Sequence, residues 1–153
     1  MKYIASLLFG LSFITSLIAQ ENLALIDGQY YNQDNELYSG QHITYHDNKN
    51  KESIYLLENG LLNGQAQFFY EEGAKQEIGL YKAGEKHGVW IKWNKEGNKI
   101  AEAAYSNGEK DGKWLIWDDS GMKRYELEYN KGVKVGSWKM WGEEGELISE
   151  KTY

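Results

Sequence analysis

The stretch Gly88-Val89-Trp90-Ile91-Lys92-Trp93-Asn94-Lys95-Glu96-Gly97 decides the fold of this 153-residue chain. Its first six residues are rich in aromatic and β-branched side chains, which suit a pleated, half-buried strand. Asn94 to Gly97 is turn chemistry, and Gly97 suits a positive φ that a side chain would resist. A return strand follows from Lys99 to Ser106, and Asn107-Gly108 makes the second turn. The reading is a β-hairpin. Alternation is clearest in a later copy, where Tyr125, Leu127 and Tyr129 share one face and Arg124, Glu126 and Glu128 the other. Trp90 and Trp93 differ in parity, so both sheet faces carry aromatic surface unless a bulge re-aims one ring.

Outward from this hairpin the chain copies itself. Gly40, Gly64, Gly88, Gly112 and Gly136 recur every 24 residues. So do Gly73, Gly97, Gly121 and Gly145, and also Gly60, Gly84, Gly108 and Gly132. These glycines are expected to keep the turns tight and let stacked corners approach. The aromatics follow the same period: Trp90, Trp114 and Trp138 in one row, and Tyr45, Phe69, Trp93, Trp117 and Trp141 in a second. A third row is Leu57, Tyr81, Tyr105, Tyr129 and Tyr153. A lone hairpin is unstable in water, so the copies must stack edge to edge. Rings in one row would then lie two strand spacings apart, roughly 9–10 Å. The expected fold is all-β: an antiparallel hairpin solenoid, a single-layer elongated sheet of about five 24-residue units over residues 40–153. Residues 21–39 fall outside the frame. Asp27-Gly28-Gln29-Tyr30-Tyr31 and Leu37-Tyr38-Ser39-Gly40 are expected to form an atypical hairpin that caps it.

Composition removes several function classes. There is no cysteine, which excludes disulfides, thiolate metal sites and cysteine nucleophiles. With 17 basic residues against 23 acidic ones the net charge is −6, which argues against nucleic acid as a partner. Met1-Lys2 and the uncharged run Tyr3 to Ala19, followed by Gln20-Glu21-Asn22, read as a signal peptide over residues 1–20, cleaved near Ala19 or Gln20. The alternative is an uncleaved anchor. Cleavage removes one basic residue and no acidic one, taking the net charge from −6 to −7. The mature protein is expected outside the cytoplasm, periplasmic or secreted.

The stretch Tyr81-Lys82-Ala83-Gly84-Glu85-Lys86-His87-Gly88-Val89-Trp90 and its echo from Tyr105 to Trp114 resemble the MORN repeat. More narrowly they resemble its bacterial variant, in which Tyr-x-x-Gly-x-x-x-Gly-x-Trp recurs. The opening from Asp27 to Gly40 is similar to the leader of bacterial proteins labelled as an antitoxin-type MORN family. The departures lie early: His42 and Ala66 stand in place of the tryptophan and Leu57 in place of the tyrosine. The resemblance implies a single-layer antiparallel sheet and a non-enzymatic role in protein or membrane contact, without fixing a ligand.

Candidate sites are few. His42 and His46 would lie about 13 Å apart on an extended strand, too far to share a metal ion. His87, read in a turn, has no serine or cysteine partner. Glu71, Glu72, Glu96, Asp118, Asp119, Glu143 and Glu144 line one edge, more in the manner of a solvated rim than of a calcium loop. Lysines form rows as well: Lys51, Lys75, Lys99 and Lys123, and Lys86, Lys110 and Lys134. Interspersed acids make them solubility and edge-protection devices before lipid-headgroup binders, and no cofactor is implied.

The aromatic rows, Trp90, Trp93, Trp114, Trp117, Trp138 and Trp141 with Tyr81, Tyr105 and Tyr129, remain as the candidate binding surface. The expectation is a non-catalytic protein that binds or scaffolds another protein through one aromatic sheet face. The alternative is a module for cell-wall or matrix glycans, although runs such as Trp-Tyr-Tyr, usual in wall-binding repeats, are largely missing. An antitoxin role comes from the family label alone and fits poorly with export.

Overall fold

The computed structural model describes residues 22–153, so the expected signal peptide over residues 1–20 and its expected cleavage near Ala19 or Gln20 lie outside the described residues. Among the described residues every regular element is a strand. β1 (Ala24–Ile26) and β2 (Gln29–Tyr31) pair with each other in a small sheet of their own. The main sheet contains β3 (Gly40–Tyr45), β4 (Lys51–Glu58), β5 (Leu61–Leu62), β6 (Gly64–Phe69), β7 (Lys75–Lys82) and β8 (Glu85–Trp93). It continues with β9 (Lys99–Ser106), β10 (Glu109–Trp117), β11 (Lys123–Asn130), β12 (Val133–Trp141) and β13 (Leu147–Thr152). Spatial order follows chain order from β3 to β13, apart from β5, which pairs only with β4. Each neighbouring pair is antiparallel, and β3 and β13 sit at opposite ends, so the sheet is open and elongated. This is the fold expected from the repeat.

Each unit carries the same bulge. Lys92 pairs with Ala101 but Trp93 pairs with Lys99, leaving Ile100 as the extra residue. The register slips equally at Tyr45, Phe69, Trp117 and Trp141. The cause is the turn: Asn94 N donates to Asn98 O (2.9 Å) and Gly97 N to Asn94 O (3.0 Å), which tightens the exit and pushes one residue out of the ladder. Because the surplus residue is on the return strand, the outgoing strand keeps its alternation. Trp93 therefore stays on the face opposite Trp90.

The expected turn glycines divide into two kinds. Gly73, Gly97, Gly121 and Gly145 and also Gly84, Gly108 and Gly132 sit in turns with positive φ. Gly64, Gly88, Gly112 and Gly136 instead lie within β6, β8, β10 and β12, which corrects their assignment to turns. At Gly112 the pairing to β9 slips between Lys110 and Trp114, φ is +99°, and an added Cβ would come within 3.1 Å of the Ala104 Cβ. A second bulge and a close strand approach both need glycine there.

Rings do not stack at two-strand intervals as expected. Tyrosines and tryptophans from adjacent strands interleave on one face, with centroids 5.2 Å apart for Tyr105–Trp114, 5.6 Å for Trp114–Tyr129, 5.1 Å for Tyr129–Trp138 and 5.0 Å for Trp138–Tyr153. The tyrosine row fills the gaps of the tryptophan row, so the ladder has twice the density of either row. At the other end it runs Tyr30–His42–Tyr55–Phe68–Trp90, with Tyr81 edge-on to Trp90 at 5.0 Å. His42 thus keeps a ring in the tryptophan slot, and Phe68 supplies the ring that Ala66 lacks. Trp90 is the best buried of these rings, 2% exposed, because Gly79 beneath it has no side chain; a Cβ there would overlap the indole. Ser53, Leu57, Ala66 and Ala103 complete a thin core on the same face.

Candidate functional site

The face holding the ladder and the face behind it differ in chemistry. Trp90, Trp114 and Trp138 with Tyr81, Tyr105 and Tyr129 come together on the ladder face, whereas Trp93, Trp117 and Trp141 share the reverse face. The candidate residues are therefore split between two surfaces. Each tryptophan is buried or half-buried, so neither row is a free strip. The ladder indoles are anchored by a repeating bond: Trp90 Nε1 donates to Leu80 O (3.1 Å), Trp114 Nε1 to Ala104 O and Trp138 Nε1 to Glu128 O (both 3.0 Å). The buried indole N–H groups are satisfied, which fixes the ring orientation.

Lysines cover the rings. Lys86 Nζ lies 3.7 Å from the Trp90 ring centre and 5.4 Å from that of Tyr105. Lys110 sits over Trp114 and Tyr129 (4.3 and 4.9 Å), and Lys134 over Trp138 and Tyr153 (4.4 and 5.2 Å). On the reverse face Lys75, Lys99 and Lys123 lie over Trp93, Trp117 and Trp141 at 5.4, 4.3 and 4.1 Å. Read from sequence as solubility devices, the lysines of these rows other than Lys51 are cation–π lids. The periodicity was visible in the sequence; which strand lies beside which ring was not.

The ion pairing of the two faces also differs. Three reverse-face lysines have carboxylates, Lys99–Glu102 at 2.9 Å, Lys123–Glu126 at 2.8 Å and Lys139–Glu150 at 3.7 Å, while Lys75 and Lys113 form no ion pair among the described residues. Lys123 holds the Glu126 carboxyl below its usual value. On the ladder face Lys86 pairs with Glu77 at 3.0 Å, while Lys92, Lys110, Lys134 and Lys151 form no ion pair among the described residues. Burial first, then Tyr55 and Glu77, pushes the Tyr81 phenol up to about 12, and burial raises Tyr105 and Tyr30 as well. Burial lowers His42. These are the marks of a partly desolvated aromatic surface and not of paired acid–base groups.

Across β10 to β13 the sheet opens into a mostly apolar groove of about 400 Å³ lined by Ile116, Tyr125, Leu127, Trp138, Met140 and Tyr153, with Lys139, Ser149 and Lys151 beside them. Tyr125 and Tyr153 are exposed. The acidic edge is knitted turn to turn: Tyr70 Oη donates to Trp93 O (2.9 Å), Asn98 Nδ2 to Asp119 O (3.0 Å) and Asn50 Nδ2 to Glu71 O (2.7 Å). His46 Nε2 lies 2.9 Å from Phe69 O in the same edge, while His42 belongs to the ladder. His87 lies within β8, not in a turn, and its buried Nδ1 has no hydrogen-bond partner among the described residues. No group of three His, Asp or Glu side chains among the described residues is placed to hold a metal ion.

An open sheet of copied hairpins, each touching only its neighbours, defines a quasi-one-dimensional repeat protein. Two stretches, residues 62–83 and 110–131, match the MORN repeat variant. They begin two repeat periods apart, each spanning the same part of its unit, and support the reading of the chain as a MORN-repeat protein. No curated protein matches the chain. MORN repeats are generally associated with protein and membrane binding and are not a known catalytic family.

Proposed function

We propose that the chain is a non-catalytic protein that acts outside the cytoplasm, after loss of residues 1–20, by holding another protein on its ladder face. The observation that carries this is the aromatic ladder on a single-layer sheet, two runs of ring contacts from Tyr30 to Trp90 and from Tyr105 to Tyr153 with Lys86 over the rings at their junction, half-buried but covered by no second layer among the described residues. Ten strands at about 4.8 Å and roughly 20 Å of strand length give a face of about 850 Å², near the area one partner contributes to a stable complex. The groove at Tyr125 and Met140, towards the β13 end of the face, supplies a concave apolar pocket for an anchoring side chain. Against a glycan partner, the ring faces on which a sugar would stack are taken by lysine ammonium groups, and neighbouring ladder rings are tilted by 57–61° from Tyr105–Trp114 to Trp138–Tyr153.

The test is affinity capture from an envelope extract with the mature chain, followed by binding to the purified captured protein. Tyr125→Glu with Met140→Glu should abolish binding, and Leu56→Glu on the reverse face should preserve it. Equal binding by both variants would overturn the assignment of the face.

A further inference from the structure

The chain carries a net charge of −6, yet its ladder face is cationic. Following the strand pairs from rung to rung, the charged residues on that face are Lys86, Lys92, Lys110, Lys134, Lys151 and Glu77. Glu77 is taken by Lys86. The acids Glu102, Glu126, Glu128 and Glu150 all lie behind, where lysines partner three of them. A face prepared only for solubility would mix both signs, as the reverse face does. Here the unpaired ammonium groups are of one sign, and those of Lys110, Lys134 and Lys151 are held over rings and lead to an apolar groove.

Lys86, Lys110 and Lys134 recur every two strands, a spacing of about 9.6 Å. A polyproline II segment has three residues per turn and a rise of about 3.1 Å, so every third side chain returns to one side after about 9.3 Å. We propose that the ladder face receives an extended acidic segment of its protein partner, with carboxylates at every third residue meeting Lys110 and Lys134, and an apolar side chain entering the groove beside Lys151. This rests on the protein-binding reading above and specifies its partner's chemistry. The lysines, already desolvated on one side by the rings, provide charge complementarity; the groove lined by Tyr125, Leu127 and Met140 fixes the register.

The probe is a fluorescein-labelled peptide with glutamate at every third position and one phenylalanine at its end, titrated against the mature chain by anisotropy. Binding should weaken with salt and fall by about tenfold or more in the K110M/K134M/K151M variant, since each partly exposed pair contributes up to about fivefold. The K110R/K134R/K151R variant, which keeps the charges, should retain binding, as should K113M on the reverse face, where Lys113 pairs across the strands with Glu128. Circular dichroism and the urea midpoint separate lost binding from lost fold. Equal affinity for a peptide with glutamine in place of glutamate overturns the proposal, as does equal loss in K113M. Tighter binding of polyglucuronate or of phosphatidylserine vesicles than of the peptide overturns the choice of occupant. If the envelope partner needs Tyr125 and Met140 while the acidic peptide does not bind, the acidic segment fails and the protein-binding reading stands.

Discussion

Replacing Trp90 by alanine tests the ladder where it is tightest. The indole is 2% exposed, lies on Gly79, touches Tyr81 at 5.0 Å and Phe68 at 6.2 Å, and donates to Leu80 O. Burying a tryptophan removes about 200 Å² from water, which at about 25 cal/mol per Å² is about 5 kcal/mol. Gly79 cannot close over the gap, so little of that is recovered by collapse, and Trp→Ala in cores costs roughly 3–5 kcal/mol. Trp138→Ala, at a half-buried position with Leu127 and Lys151 alongside, should cost about half as much. Urea unfolding followed by far-ultraviolet circular dichroism reads both. Because each unit contacts only its neighbours, hydrogen exchange in Trp90→Ala should accelerate first in β7 to β9. A Trp90→Ala loss no larger than that of Trp138→Ala, or uniform exchange along the sheet, would refute the reasoning.

Gly79→Ala forces the new methyl into the Trp90 indole and should destabilise by about 1–3 kcal/mol in the same urea assay, although its φ is ordinary for alanine. Gly112→Ala combines a φ of +99° with a 3.1 Å approach to Ala104 and should cost about 1–3 kcal/mol, with exchange loosened between β9 and β10. Burial keeps the His42 value below 6.5, so as pH falls the unfolded chain binds this proton first. This part of the stability is present above about pH 6.5 and lost below it; His42→Phe should flatten the urea midpoint between about pH 7.5 and 5.5. The Tyr81 phenol, pushed up to about 12 by burial, should be the last tyrosine to ionise in an ultraviolet titration, and its contribution is lost as pH rises from 10 through that value.

The period and the strand alternation were legible because glycine recurs at most turns of the frame and aromatic rings recur in most of the ring slots. What was not legible depends on which strands are neighbours. Tyr105 and Trp114 belong to different rows in sequence but to adjacent strands in space, so the interleaved ladder emerges only with the register. Lys99 is paired with Trp93 across the hairpin, yet its ammonium lies over Trp117 on the other side. Gly79 stands outside the glycine periods and matters only because a neighbouring strand lays an indole on it. His42 looked like a departure from the repeat; its ring fills the slot by shape, between Tyr30 and Tyr55. The split between a cationic front and a back of mixed charge required the face of every charged residue, which the bulges obscure in a linear reading.

The most direct measurement is the pattern of interstrand nuclear Overhauser contacts in the isotope-labelled mature chain. The ladder requires cross-strand contacts Trp90–Ala103, Ala103–Trp114 and Trp114–Leu127, with ring contacts Trp114–Tyr129 and Tyr129–Trp138 and none between β3 and β13 of one molecule. Contacts joining β3 to β13, or rings meeting only at two-strand intervals, would contradict it.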